Sequence, residues 1–125
     1  MSNPRRFELR QILTVTTGVL LCEIGGLYDL LNYLTGDQLF THQLPRAAIL
    51  CKPWIIRQLP ELAQITAEGV GRDNWTEFLT QQEELYGATH QLDTMPEELW
   101  LHIDPLQELQ AMKGDDKVIV VEAPE

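Results

Sequence analysis

The leucine spacing in Leu27-Tyr28-Asp29-Leu30-Leu31-Asn32-Tyr33-Leu34 constrains this chain more than any other feature. Leu27, Leu30, Leu31 and Leu34 stand at i, i+3, i+4 and i+7, which puts them on one face of a helix. Gly25-Gly26 breaks the chain ahead of it, and Thr35-Gly36 closes it, with Gly36 suited to a left-handed position just past the helix end. A helix that is apolar on one side must bury that side against other elements. The rest of the chain is therefore read for its partners.

Phe7–Leu13 reads as a short helix. The β-branched Thr14-Val15-Thr16-Thr17 then weakens helix propensity and Gly18 stops it. Val19–Cys22 is a short buried stretch, extended or connecting. Thr41 is placed to cap a helix over 42–58, with Pro45 in its first turn and Pro53 expected to kink or split it. Pro60 stops or restarts the chain before one or two further turns over 61–67. Asn74 with Glu77 fits a capping box for a helix over 74–86 that Gly87 ends. Residues 88–93 form a candidate edge strand, and 95–100 a loop or single helical turn. Asp104, Pro105 and Gln107 mark the start of a helix that Gly114 closes. Lys117–Val121 reads as a strand buried on both faces, which needs a partner among 89–92, 100–103 and 19–22. The expected fold is α+β and mostly helical, with four or five helices and a small two- or three-stranded sheet that includes the C-terminal strand. One domain over 1–125 is expected, with 1–6 and 122–125 fraying.

The chain of 125 residues carries a net charge of −10. Residues 1–60 hold six Lys/Arg against four Asp/Glu, whereas 61–125 hold three against fifteen. Such asymmetry bears on partners rather than on fold. It disfavours direct nucleic-acid binding by the whole chain. The longest apolar runs are far too short to cross a bilayer, and no N-terminal signal pattern is present, so a cytoplasmic setting is expected. Cys22 and Cys51 have no metal-type spacing and read as two small buried hydrophobes.

The densest polar chemistry lies in TGDQLFTHQLPRA, residues 35–47. One reading makes His42 an acid, base or ligand, Asp37 its orienter and Arg46 an anion clamp, with Thr41 and Gln43 beside them. The plainer reading has Thr41 capping, Asp37 holding the preceding turn and Arg46 pairing with an acid of the second half. Convergence on an open pocket separates the two; a Thr41 that merely caps, together with an Arg46 consumed by an internal acid, defeats the enzyme. His42, His90 and His102 lack a metal-ligand spacing, so no metal and no cofactor are expected. Thr14-Val15-Thr16-Thr17-Gly18 lacks the frame of a phosphate loop, and Gly69-Val70-Gly71-Arg72 is too short for a dinucleotide fingerprint. Trp54 and Trp75 read as core, and Trp100 as a partly exposed anchor for a partner.

TGDQLFTHQLPRA, taken with IDPLQELQAMKGDDKVIVV at 103–121, resembles a family of small bacteriophage-encoded proteins of unknown function. The resemblance runs over roughly residues 8–121. It implies a viral setting in the host cytoplasm and supplies no catalytic residues. In that setting, the expectation is an accessory protein that binds a host or phage protein through its acidic surface, for example a defence or nucleic-acid-handling protein. The alternatives are a small enzyme or anion-binding domain centred on 37–46, from which the sequence leans away, and a morphogenesis or scaffold component, which would be a homo-oligomer.

Overall fold

A computed structural model describes residues 4–114. Five helices and a two-stranded antiparallel sheet make the fold α+β and mostly helical. The expected strand at 117–121 lies outside the described residues.

The chain opens with a strand rather than a helix. β1 (Arg5–Glu8) pairs with β2 (Thr89–Leu92), Arg5 opposite Leu92 and Glu8 opposite Thr89. Arg5 and Arg6 are thus held in a sheet instead of fraying. Phe7 is the buried residue of β1, and β2 is the expected edge strand. A four-residue strand carries almost no local signal, so β1 exists because β2 lies beside it. Neither 19–22 nor 100–103 is a strand.

α1 (Leu9–Thr17) follows directly, with the Gln11 side chain accepting a hydrogen bond from the Glu8 backbone N–H. The helix runs through the threonines expected to end it. Thr14 and Thr17 donate their hydroxyls to the carbonyls of Arg10 and Leu13, so neither competes for the helix's own N–H groups. Burial of Ile12, Leu13 and Val15 outweighs their weak propensity. Gly18 ends the helix at φ 81.

α2 (Ile24–Thr35) begins earlier than the glycine pair suggests, because Gly25 and Gly26 form its first turn. Gly26 is closely packed: a Cβ there would crowd the Cys22 sulfur at 3.3 Å, and its carbonyl accepts from the Gln11 amide. Leu30, Leu31 and Leu34 are buried, and Gly36 takes the left-handed position at φ 73. α3 (Leu44–Gln58) is preceded by a 3-10 turn over Thr41–Gln43. Pro45 sits in its first turn, and Pro53 neither splits nor ends it. Pro53 lies on the exposed side with Ile49, so the carbonyl it leaves unbonded faces water. Leu44, Ala47, Cys51 and Ile55 face α1 and α2.

A 3-10 segment, Pro60–Gln64, buries Leu62 under α3. α4 (Trp75–Tyr86) starts after Asn74, but the capping box with Glu77 does not form. The Asn74 side chain turns back instead, accepting from the Gly71 N–H and donating to the Gly69 carbonyl. After β2, Trp54 donates its indole N–H to the Asp93 carbonyl, and Met95 donates its backbone N–H to the Leu34 carbonyl. A 3-10 turn over Glu97–Leu99 leads to α5 (Pro105–Gly114).

Candidate functional site

The 37–46 block is met by the chain segment 100–108, about sixty positions later in sequence, and nearly every polar group in the block is matched. Arg46 stands on the first turn of α3. Its Nε and Nη2 donate to the two carboxylate oxygens of Glu108 at 2.9 and 3.0 Å, a two-pronged pair with side chains only 25% and 11% exposed. Nη1 donates to the Leu101 carbonyl at 2.9 Å, and the guanidinium lies 4.1 Å from the Trp100 ring centre. Burial would raise the Glu108 carboxyl, but the hydrogen bonds from Arg46 and Gln43 more than offset this and hold it below the ordinary carboxylate range.

Gln43 is almost wholly buried and uses both ends of its amide. Its oxygen accepts the Phe40 N–H; its nitrogen donates to the Ile103 carbonyl and to Glu108. His42 places Nε2 2.9 Å from the Pro105 carbonyl; since a carbonyl only accepts, Nε2 carries the proton. Asp37 accepts from the Trp100 indole at 3.0 Å, from His102 Nδ1 at 2.6 Å and from the Gln38 N–H at 2.9 Å. Burial raises this carboxyl too, and the bonds from His102, Trp100 and Gln38 prevail, so it is held below its usual range.

Several expectations change here. Thr41 does not cap α3; its hydroxyl is hydrogen-bonded to the Tyr28 hydroxyl. Asp37 orients His102, not His42. Trp100 is buried at 8% exposure, because Arg46 covers its face and Asp37 takes its N–H; an exposed anchor it is not. Asp37 does also hold its own turn, and Arg46 does pair with an acid of the second half. Sequence reasoning missed Glu108 and His102. Glu108 stood three residues after Pro105 in the helix start, where an acid has the ordinary explanation of favouring a helix N-terminus.

Beside this cluster runs an open groove of about 620 Å³, lined among others by Asp37, Thr94, Met95, Glu97, Trp100 and His102. Among the described residues no hydroxyl or thiol is hydrogen-bonded to His102, no group of three His, Cys, Asp or Glu is placed to hold a metal ion, and no helix is long and apolar enough to cross a membrane. With Arg46, Gln43 and Asp37 occupied, the arrangement acts as a clasp that fastens the C-terminal segment to the start of α3.

What the fold defines is thus a mostly helical α+β protein with an internal polar clasp. Residues 7–65, slightly less than half the chain, match the family model of a domain of unknown function, DUF7736. That stretch runs from the second half of β1 through the 3-10 segment after α3, so it contains Asp37, Thr41, His42, Gln43 and Arg46 but neither Trp100 nor Glu108. No curated protein and no solved structure matches the chain.

Proposed function

We propose that this is a phage accessory protein that works by protein–protein binding through the acidic surface of its C-terminal half. The observation that carries the reading is a set of uncommitted carboxylates. Glu61, Glu68, Asp73, Glu77, Glu84, Glu97, Glu98 and Asp104 are all exposed, and none forms an ion pair among the described residues. Of the six cations of the first half, three are engaged in ion pairs among the described residues: Arg5 with Asp29, Arg10 with Glu8 and Glu83, Arg46 with Glu108. The field left over is negative and belongs to the second half. It suits a basic partner surface, such as the nucleic-acid groove of a defence or nucleic-acid-handling protein, where it would compete with phosphate. Catalysis gains less support, since the one bidentate cation that would hold an anion is already paired with Glu108.

Immobilised protein presented with lysate of infected host cells, washed at increasing salt, tests the proposal. A specific partner is expected to be retained at low salt and released as salt rises. The doubly reversed variant Glu77→Lys/Glu84→Lys is expected to lose it. Retention that ignores both salt and charge reversal sinks the acidic-surface reading.

A further inference from the structure

We infer that the outward face of α3 is covered by residues 115–125 of the same chain. Ile49, Leu50 and Pro53 share one side of the helix, opposite the buried Ala47, Cys51 and Ile55. Ile49 is 72% exposed and Leu50 39%, and Pro53 is exposed between them. Single apolar residues on a surface need no explanation, but adjoining ones on one helix face mark a contact. Leu101, also exposed, extends the stripe at its head, where Arg46 holds its carbonyl. The Ile49 carbonyl lies along the same face without a helical donor, because Pro53 has no N–H to give it. The stripe thus offers apolar side chains and one open backbone acceptor.

The charge around the stripe selects its occupant. Lys52 borders it and Arg57 stands one turn beyond Pro53; both are exposed, and neither forms an ion pair among the described residues. A second copy docked about a twofold axis would set these cations against their own duplicates. What fits is an apolar run flanked by acids. Residues 115–125 read DDKVIVVEAPE, with Val118, Ile119, Val120 and Val121 between two aspartates on one side and two glutamates on the other. Covering Ile49 and Leu50 with that run removes apolar surface of both from water, and its flanking carboxylates answer Lys52 and Arg57.

The clasp brings this segment to the right place. Residues 115–125 lie outside the described residues and follow Gly114, the last residue of α5. Glu108 of α5 is fastened to Arg46, at the head of the stripe. Gly114 stands six residues farther on, about 9 Å along the helix axis. From Arg46 to Arg57, α3 runs about 17 Å, whereas eleven extended residues reach up to about 36 Å. The length therefore suffices for the connection and for the whole face. The exposed carboxylates of 61–104 take no part in this contact, so it stands or falls separately from the proposed partner binding.

Photo-crosslinking of the full chain tests the inference. Ile119→benzoylphenylalanine and, separately, Val121→benzoylphenylalanine place the reactive group in the apolar run, and peptide mass spectrometry locates the adduct. An adduct within one chain, to residues 46–57 and independent of protein concentration, is expected. Ile49→Asp, a change at an exposed position, is expected to cut its yield about fivefold or more. Lys52→Glu/Arg57→Glu should lower it as well, while Leu85→Asp, on the exposed side of α4, leaves it unchanged. Circular dichroism and thermal melts establish that each variant is folded. Adducts spread along the chain, or none to 46–57, overturn the inference. So does an adduct that survives Ile49→Asp, and one between two chains that grows with concentration would assign the face to a second copy instead.

Discussion

Arg46 is the residue on which the docking of the C-terminal segment turns. It spends three nitrogens and its flat face on Glu108, Leu101 and Trp100, and the pair it makes is mostly shielded from water. Removing it leaves a half-buried carboxylate without its cation, the costly way to break such a pair. Arg46→Ala is expected to weaken docking by about 2 kcal/mol, seen as a roughly thirtyfold loss of amide-exchange protection over 105–111. Protection in α1 and α2 should stay unchanged; an unaltered 105–111 would refute the clasp. The two cysteines make a second prediction at this scale. Burial pushes the Cys51 thiol up to about 12; it also raises Cys22, where the hydrogen bond with Thr14 and the charge of Arg10 pull the other way. A thiol reagent at pH 8 should label half-buried Cys22 slowly and Cys51 only after unfolding, and equal rates in the native state would contradict the packing.

At the scale of elements, α3 carries a proline in its interior and remains one helix. The cost is borne where the carbonyl of Ile49 lacks a donor, on the solvent side. Pro53→Ala restores that bond, and denaturant titration should show stabilisation of about 1–3 kcal/mol; no gain would mean that the helix is bent to suit the proline. The 99–108 segment is held differently, by polar contacts around one buried side chain, Trp100, with Leu99, Leu101 and Leu106 all exposed. Its docking should therefore depend on pH. Asp37 and Glu108 both lie below their ordinary range when docked. Groups depressed in this way contribute fully above the unfolded carboxylate values, about 4, and lose their contribution as pH falls through the docked values. Trp100 emission, measured in a Trp54→Phe/Trp75→Phe background, should shift toward that of exposed indole below about pH 4, before helix content is lost. Coincident transitions would count against a separately docked segment.

For the whole molecule, the charge layout dominates. A net charge of −10, with its excess on the second half, repels itself in the folded state. Raising sodium chloride from low to physiological strength should increase the melting temperature, and Glu77→Gln/Glu84→Gln should flatten that dependence. A melting temperature indifferent to salt would show that the exposed carboxylates are too far apart to interact. Glu77 and Glu84 stand on α4, outside the 37–46 and 100–108 segments that form the clasp, so binding through them and docking of the C-terminal segment are separable by mutation.

Some of this was written locally. The leucines of α2, Gly36 after it, Pro45 in the first turn of α3 and Gly87 after α4 each act through neighbours within a few residues, and such signals survive in a bare sequence. The polar density of 35–47 was legible as well, although its purpose was not. What tertiary structure alone decided are the long-range pairings. β1 is a strand because β2 returns to it, α1 continues through its threonines because its apolar face is buried, and Arg46 meets Glu108 across 62 positions, as Asp37 meets His102 across 65. Local propensity is worth tenths of a kcal/mol per residue, roughly, whereas a buried side chain or a desolvated ion pair is worth several times that. Where the two conflict, contact outweighs propensity, and contact is what a one-dimensional pattern does not record.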